Sequence, residues 1–242
     1  MINAVASRAT RPAFLRRACT AFAAVACLAV LPARAQYIME FAQTYNAPTS
    51  NFISTTFLNQ QSLINATHPN AQQAARQPQP PLGAPQVERN AAELAQAVPA
   101  AQRAKLEKIY AQLMPGYHQL EQKLGWPKDD VGGAIAAVVA GNYMAMTGTE
   151  LSDESVAAAG HQLRNSASVQ QMLAQLSPQD RRRLYEQCAM LGTFMALANK
   201  TTQQQPANVV ANLRQSAREN LRVILGSSAD TVRFTSQGLQ LR

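Results

Sequence analysis

Apolar residues recur at spacings of three and four from residue 99 to residue 226, and this helical period constrains the fold more than any other feature. The first apolar stripe ends at Gly125, and later stripes end at Gly148 and Gly226, residues typical of helix C-termini. The pattern predicts an all-α fold, a compact helical bundle of about five or six helices.

One of these stretches is the expected centre of the bundle. No charged residue occurs from Val131 to Thr149, and a helix that is apolar on most sides is buried. Gly133, Ala137 and Gly141 lie four residues apart, so they allow a neighbouring helix to approach closely. Because the stretch is rich in Gly and Ala, it is too weakly apolar for a membrane helix. We therefore expect no transmembrane segment in the mature chain.

Three positions carry the signals of a helix N-terminus. Ser152 is followed by two acidic residues, which the helix dipole favours in the first turn. The sequence Ser-Pro-Gln-Asp at 177–180 offers a capping serine, a proline at the first helical position and an acid at the third. Asp129 or Asp130 can cap the helix of the uncharged stretch.

The rest of the mature chain has a different composition. Residues 36–98 are rich in Gln, Asn, Thr and Pro, and they predict a flexible N-terminal arm and linker that precede a helical domain at 99–242. Apolar residues between 50 and 65 are spaced as in one short helix, whereas the prolines between 72 and 85 predict an extended linker. Residues 231–241 alternate in polarity, which predicts a short extended C-terminal coda, either a hairpin or a docked tail.

The N-terminus has the features of a secretory signal peptide over residues 1–35. It combines a basic start without acidic residues, an apolar run, and an Ala-x-Ala motif that ends at Ala35. The apolar run is shorter than the roughly 20 residues that a transmembrane helix needs. We predict cleavage between Ala35 and Gln36 and an exported protein, periplasmic or secreted. A lipoprotein signal at Cys27 and a twin-arginine signal at 16–17 fit less well.

The predicted leader changes the charge balance. The chain carries 22 basic and 14 acidic side chains, a net charge of +8. Five arginines and no acidic residue lie in the leader, so the mature chain keeps 17 basic and 14 acidic side chains and a net charge of +3. The high isoelectric point therefore does not predict a nucleic-acid partner.

Several short motifs resemble a family of exported proteins from Gram-negative bacteria that is known only as a domain of unknown function. The resemblance covers roughly residues 99–242, together with the region of 51–53, and implies an exported helical domain with a short coda. It implies no catalytic residue. The motifs are Leu-Gly-Trp-Pro-Lys-Asp-Asp-Val at 124–131, Asn-Tyr-Met-Ala-Met-Thr-Gly at 142–148, Leu-Ser-Pro-Gln-Asp at 176–180, Leu-Tyr-Glu-Gln at 184–187, and Val-Arg-Phe-Thr-Ser-Gln-Gly-Leu at 232–239.

Metal and nucleophile chemistry have weak support in the sequence. His68, His118 and His161 are not paired with other ligands at metal-binding spacing, and the mature chain contains no cysteine pair. Cys188 shares a helical face with leucines, so we expect a buried structural thiol. No cofactor, metal site or catalytic residue is predicted.

Carboxylates are the basis of a hydrolase hypothesis. The candidates are Asp129 with Asp130, the acids between 150 and 154, and Glu186. Asp129, Asp130, Asp153 and Glu154 are better explained as helix caps and first-turn charges. The sequence alone does not show whether two carboxylates face each other across a cleft.

Arginines define a possible anion-binding face. Arg214, Arg218 and Arg222 recur every four residues, opposite the apolar stripe of the last helix, and three further arginines occupy 181–183. The sequence favours a non-enzymatic exported protein that binds a partner, such as another envelope protein. The alternatives are an anionic-lipid or envelope-surface binder that uses this face, and the hydrolase. The oligomeric state is open.

Overall fold

The computed structural model describes residues 59–68, 71, 78–202 and 205–241, and these residues are mostly helical. The all-α prediction is therefore confirmed, but the described chain has eight helices, more than the five or six predicted. In chain order these are α1 (Gln60–Thr67), α2 (Val87–Ala95), α3 (Ala100–Lys123), α4 (Val131–Thr147), α5 (Asp153–Asn165), α6 (Ala167–Gln175), α7 (Pro178–Thr202) and α8 (Ala207–Leu225). A 3₁₀ turn, Gly226–Asp230, and the strands β1 (Arg233–Thr235) and β2 (Gly238–Gln240) follow.

The first two helices lie in the segment interpreted as arm and linker. Asn59 caps α1, so this helix begins at Gln60, and residues 50–58 of the predicted short helix lie outside the described part. Helix α2 was not predicted. It has only nine residues, too few for a clear helical period beside the prolines that precede it. It buries Leu94 and its neighbouring alanines against α3.

Helix α4 is the centre of the bundle, as its uncharged sequence predicted. Fourteen of its 17 residues are buried, and α5, α7 and α8 pack around it. Its small-residue stripe allows α7 to approach closely, because a Cβ at Gly141 would lie 2.2 Å from the carbonyl oxygen of Gly192. A buried hydrogen bond of 2.8 Å from Asn220 Nδ2 to Asn142 Oδ1 joins α4 to α8.

Trp126 occupies a space between α4 and α5 that two glycines create. A Cβ at Gly133 would lie 2.6 Å from the indole ring, and one at Gly160 would lie 2.3 Å from it. The side chain is 4% exposed, and its Nε1 donates to the carbonyl of Ala157 at 3.3 Å. The loop between α3 and α4 is therefore anchored to the core.

The predicted helix starts are confirmed. Asp130 caps α4 by accepting a hydrogen bond from the Gly132 N–H at 3.1 Å, and Ser152 caps α5. At the start of α7, Ser177 Oγ accepts from the Asp180 N–H at 3.1 Å and donates to the Asp180 carboxylate at 2.6 Å. These bonds satisfy backbone donors that have no partner within a helix.

The proline-rich chain from 78 to 86, called here the 78–86 segment, is bound along the start of α7. The Gly83 N–H donates to the carbonyl of Pro178 at 2.7 Å. The Arg181 guanidinium donates to the carbonyl of Pro81 at 3.0 Å, and that of Arg182 donates to the carbonyl of Gly83 at 2.8 Å. This part of the predicted linker is thus part of the folded unit, whereas residues 72–77 lie outside the described chain.

The coda is a two-stranded antiparallel hairpin in which Thr235 pairs with Gly238. It packs on α5. The side-chain amide of Gln162 pairs with the backbone of Leu239, accepting its N–H at 2.7 Å and donating to its carbonyl at 3.0 Å. The same Nε2 donates to the carbonyl of Ala66 at 3.2 Å. Gln162 therefore joins α1, α5 and β2.

Within the described residues, no helix is both long and apolar enough to cross a bilayer.

Candidate functional site

Four carboxyl groups gather where the end of α3 meets the first turns of α7. Three of them, Asp129, Asp130 and Glu186, belong to the candidates predicted from the sequence. The fourth, Glu121, was not predicted, because it has no motif around it. The one sequence feature that could have identified it is its position four residues after Tyr117, which places it on the buried face of α3.

Glu121 is 2% exposed, and both of its carboxyl oxygens are engaged. Oε1 accepts the Asp130 N–H at 3.1 Å, and Oε2 accepts the Tyr185 hydroxyl at 3.0 Å. Burial raises the pKa of Glu121 to about 7, although the hydrogen bond from Tyr185 acts in the opposite direction. The carboxyl group thus joins α3, the α3–α4 loop and α7.

Glu186 binds the N-terminus of α2. Its carboxylate accepts the Gln86 N–H at 3.1 Å and Asn90 Nδ2 at 2.6 Å. The residue is fully buried, and burial raises the pKa of Glu186 while these two hydrogen bonds oppose the shift. Arg182 Nε lies 3.9 Å from the carboxylate.

Two ion pairs complete this cluster. Arg182 Nη1 lies 3.0 Å from Asp129 Oδ1, and Asp129 adopts a left-handed backbone conformation with φ +62°. Arg164 Nη1 lies 2.8 Å from Asp130 Oδ2, whose side chain is fully buried. Burial raises the pKa of Asp130, and the charge of Arg164 opposes this shift.

These contacts give the cluster a structural role. Retaining and inverting glycosidases present two carboxyl groups to a cleft, whereas Glu121, Asp130 and Glu186 are at most 2% exposed and bonded to the protein. The acids between 150 and 154 lie elsewhere, and Asp153 pairs with Lys123 at 2.6 Å. The geometry favours a buried hydrogen-bonded network over a hydrolytic centre.

Arg214, Arg218 and Arg222 are exposed on α8, as the sequence pattern indicated. Arg218 and Arg222 both pair with Asp230, at 3.1 and 3.0 Å, so a single carboxylate reduces the charge of this face. The arginines at 181–183 do not extend it, because Arg181 and Arg182 are buried at 6% and 8% exposure.

The thiol and the histidines of the described chain form no metal-binding cluster. Cys188 is fully buried, which confirms that prediction, and burial raises the pKa of its thiol. No group of three or more His, Cys, Asp or Glu residues in the described chain could hold a metal ion. Burial also lowers the pKa of His118.

A cavity of about 800 Å³, called here the polar groove, lies between α1, α5 and the C-terminal hairpin. Its described lining contains no Asp, Glu, Lys or Arg. The polar side chains that line it include Thr67, His68, Gln162, Asn165, Ser236 and Gln237. These hydroxyl, amide and imidazole groups can both donate and accept hydrogen bonds.

A second cavity of about 690 Å³, called here the basic pocket, adjoins the polar groove at His161 and Asn165. Lys128 and Arg164 also line it, together with the buried Asp130. Arg164 Nη2 donates to His161 Nδ1. Because a guanidinium only donates, the proton of the neutral imidazole lies on Nε2. Burial and the charge of Arg164 lower the pKa of His161.

A family model described as a family of unknown function, DUF6683, matches residues 14–242. The chain belongs to this family. The sequence motifs resembled a family of unknown function over roughly residues 99–242. The match to the family model is longer and also covers the segment before residue 99. Export and a Gram-negative origin of DUF6683 members remain predictions. Neither a curated protein nor a solved structure matches the chain.

Glu121 gives a prediction that is independent of any ligand. Its pKa is raised from 4.5 to about 7, so its contribution to stability is present below pH 4.5 and is lost as the pH rises through 7. Glu121→Gln stays neutral, so between pH 4.5 and 8 its stability should rise relative to wild type by about 3 kcal/mol. Urea unfolding across this range measures the difference.

The comparison with wild type isolates Glu121 from the other titrating groups. Asp130 and Glu186 have raised pKa values and change stability in the same direction, whereas His118 and His161 have lowered pKa values and change it in the opposite direction. All four are present in both proteins. If the free energies of unfolding of the two proteins change in parallel with pH, the raised pKa of Glu121 is contradicted.

Proposed function

We propose that the mature chain is an exported, non-enzymatic binding protein whose ligand is an oligosaccharide that lies in the polar groove. The observation that carries this proposal is the lining of the groove. Hydroxyl, amide and imidazole side chains from α1, α5 and the hairpin converge on one cavity of about 800 Å³, a size typical of small-molecule sites.

The chemistry of the lining favours a ligand rich in hydroxyl groups. A sugar hydroxyl donates one hydrogen bond and accepts others, so its best partners are side chains that also do both. Asn165 and Gln237 offer such amides, and Ser236 offers a hydroxyl. Since the described lining carries no charged side chain, it matches the uncharged body of a saccharide chain.

The walls of the groove are held in place before a ligand binds. The amide of Gln162 joins Leu239 of β2 to Ala66 of α1, and Ser168 Oγ donates to the carbonyl of Ser62 at 2.7 Å. A preformed site avoids part of the entropy that ordering loops would require. These bonds support binding by a largely rigid face.

The carboxyl cluster supports the non-enzymatic part of the proposal. Its buried acids are bonded to Tyr185, Asn90 and Arg164. None of them except Asp130 is among the described residues that line the two cavities, and both carboxylate oxygens of Asp130 accept hydrogen bonds from the protein.

Calorimetric titration with the neutral tetrasaccharides of N-acetylglucosamine and glucose tests the proposal. We expect at least one of them to bind the wild-type protein with a Kd below about 1 mM, the range of weak specific binding. Ala158 is half-buried and lines the groove, so Ala158→Phe should fill it and abolish binding.

The matched control is Ala211→Phe on the exposed surface of α8. It adds the same aromatic ring away from the groove and should leave the affinity unchanged. If no tetrasaccharide tested, neutral or acidic, binds the wild-type protein, or if Ala158→Phe binds as wild type does, the proposed function is wrong.

A further inference from the structure

The basic pocket and the polar groove form one continuous site. His161 and Asn165 line both cavities, so a chain molecule in the groove can place its end in the pocket without leaving the surface. The groove offers uncharged partners, whereas the pocket adds Lys128 and Arg164. The two parts therefore differ in the chemistry that they can recognise.

The pocket has more hydrogen-bond donors than acceptors. Lys128 is exposed and makes no ion pair with another described residue. Arg164 uses Nη1 on Asp130 and Nη2 on His161, which leaves its Nε–H. The remaining N–H of His161 lies on Nε2 and has no acceptor in the described part of the chain.

The acceptors of the pocket are already engaged. Asp130 Oδ1 accepts the Gly132 N–H, and Oδ2 accepts Arg164. Gln79 also lines the pocket, and its amide is occupied on both sides, since Oε1 accepts the Val131 N–H at 2.8 Å and Nε2 donates to the carbonyl of Asp129 at 2.9 Å. Unsatisfied donors with a positive charge favour an anionic oxygen ligand.

The charge count favours a carboxylate over a phosphate. Lys128 and Arg164 face one carboxylate, Asp130, so the described pocket has a surplus of one positive charge. The first N–H groups of α4 do not add to it, because Gln79 and Asp130 already accept from Val131 and Gly132. A singly charged group balances this surplus, whereas a phosphate carries more charge than the pocket supplies.

We infer that the ligand is an acidic oligosaccharide whose sugar carboxylate lies in the basic pocket while its uncharged part lies in the polar groove. This inference rests on the proposed function, since it names the class of saccharide that the same site binds. Lys128 and Arg164 recognise the carboxylate, and the N–H of His161 donates to it at the junction of the two cavities.

Titration with glucuronosyl-xylotriose, a tetrasaccharide with a single carboxylate, and with its uncharged methyl ester tests the inference. At low salt we expect the acid to bind at least about tenfold more tightly than the ester, the ratio expected of one charge-assisted contact. Lys128→Gln should lower this ratio toward one, because it removes one of the two cations that recognise the carboxylate. Lys108→Gln, an exposed lysine of α3, is the control and should keep the ratio.

The outcomes separate the inference from the proposed function. If the ester binds as tightly as the acid, the inference is wrong and the proposed function stands. If neither saccharide nor any neutral tetrasaccharide binds, both are wrong. The inference is also overturned if inorganic phosphate, or a tetrapeptide whose only charged acid is its free carboxylate, binds more tightly than glucuronosyl-xylotriose and this binding depends on Lys128.

Discussion

Arg182→Ala is expected to lower the free energy of unfolding by about 3–5 kcal/mol, the range measured when one partner of a buried ion pair is removed. The Arg182 side chain is 9% exposed. Its guanidinium pairs with Asp129 and Glu186 and donates a hydrogen bond to the carbonyl of Gly83. Without it, Glu186 keeps its buried position but loses its nearest cation. Urea unfolding at pH 7 measures the loss.

The neighbouring arginine provides a matched control. Arg183 pairs with Glu93 at 2.7 Å, but its side chain is 34% exposed, so Arg183→Ala should lower the free energy of unfolding by less than about 1 kcal/mol. Hydrogen exchange of the Gln86 amide gives a local measurement, because Gln86 donates to Glu186. Equal losses in the two variants, or unchanged exchange at Gln86 in Arg182→Ala, would count against this account.

Gly141→Ala should destabilise the protein by about 3 kcal/mol, the upper part of the range for overpacking in a core. An alanine in a helix normally stabilises it relative to glycine. Here the new Cβ would lie 2.2 Å from the Gly192 carbonyl oxygen, a backbone atom that moves only if α4 and α7 separate. Thermal unfolding followed by circular dichroism measures the change.

A double-mutant cycle distinguishes this clash from a general intolerance of substitution. A Cβ at Gly192 would lie 2.6 Å from the backbone of Ala137, at the same helix contact. Once one substitution has separated the helices, the second should cost less, so the effects of Gly141→Ala and Gly192→Ala should be less than additive. Strict additivity would show that the two glycines act independently.

Local signals accounted for most helix boundaries. Ser152 and the Ser-Pro-Gln-Asp sequence at 177–180 marked two starts, and both caps form as predicted. The uncharged sequence of α4 predicted its central position for a simple reason, since a helix without a polar face has no side to expose to water. The small residues on it predicted the close contact with α7, although they did not identify Gly192 as the partner.

The missed elements depend on contacts between distant parts of the chain. Helix α2 and the 78–86 segment are held by Glu186 and by Arg182, about 100 residues away. Neither interaction has a local pattern, and a run of prolines by itself predicts a solvated linker. The arginines at 181–183 were assigned to the surface for the same reason, because a sequence does not show which carbonyls a guanidinium will bind.

The candidate site was even less accessible to sequence reasoning. The polar groove is built from α1, α5 and the hairpin, whose residues are unremarkable glutamines, asparagines and serines. His161 was recognised as lacking a metal-binding partner, but its neighbour Arg164 and the tautomer that this arginine imposes require coordinates. Only the clustering of these side chains around one cavity suggests a ligand.

The central claim, that the polar groove binds a saccharide, is tested most directly by nuclear magnetic resonance of the uniformly ¹⁵N-labelled mature protein during titration with glucuronosyl-xylotriose. The side-chain amide signals of Asn165 and Gln237, which line the groove, and the imidazole nitrogens of His161 report on the site. We predict saturable shifts at these three residues and unchanged signals at Gln119, which is exposed on α3. Shifts confined to the arginine face of α8, or no shifts at saturating sugar, would contradict the account.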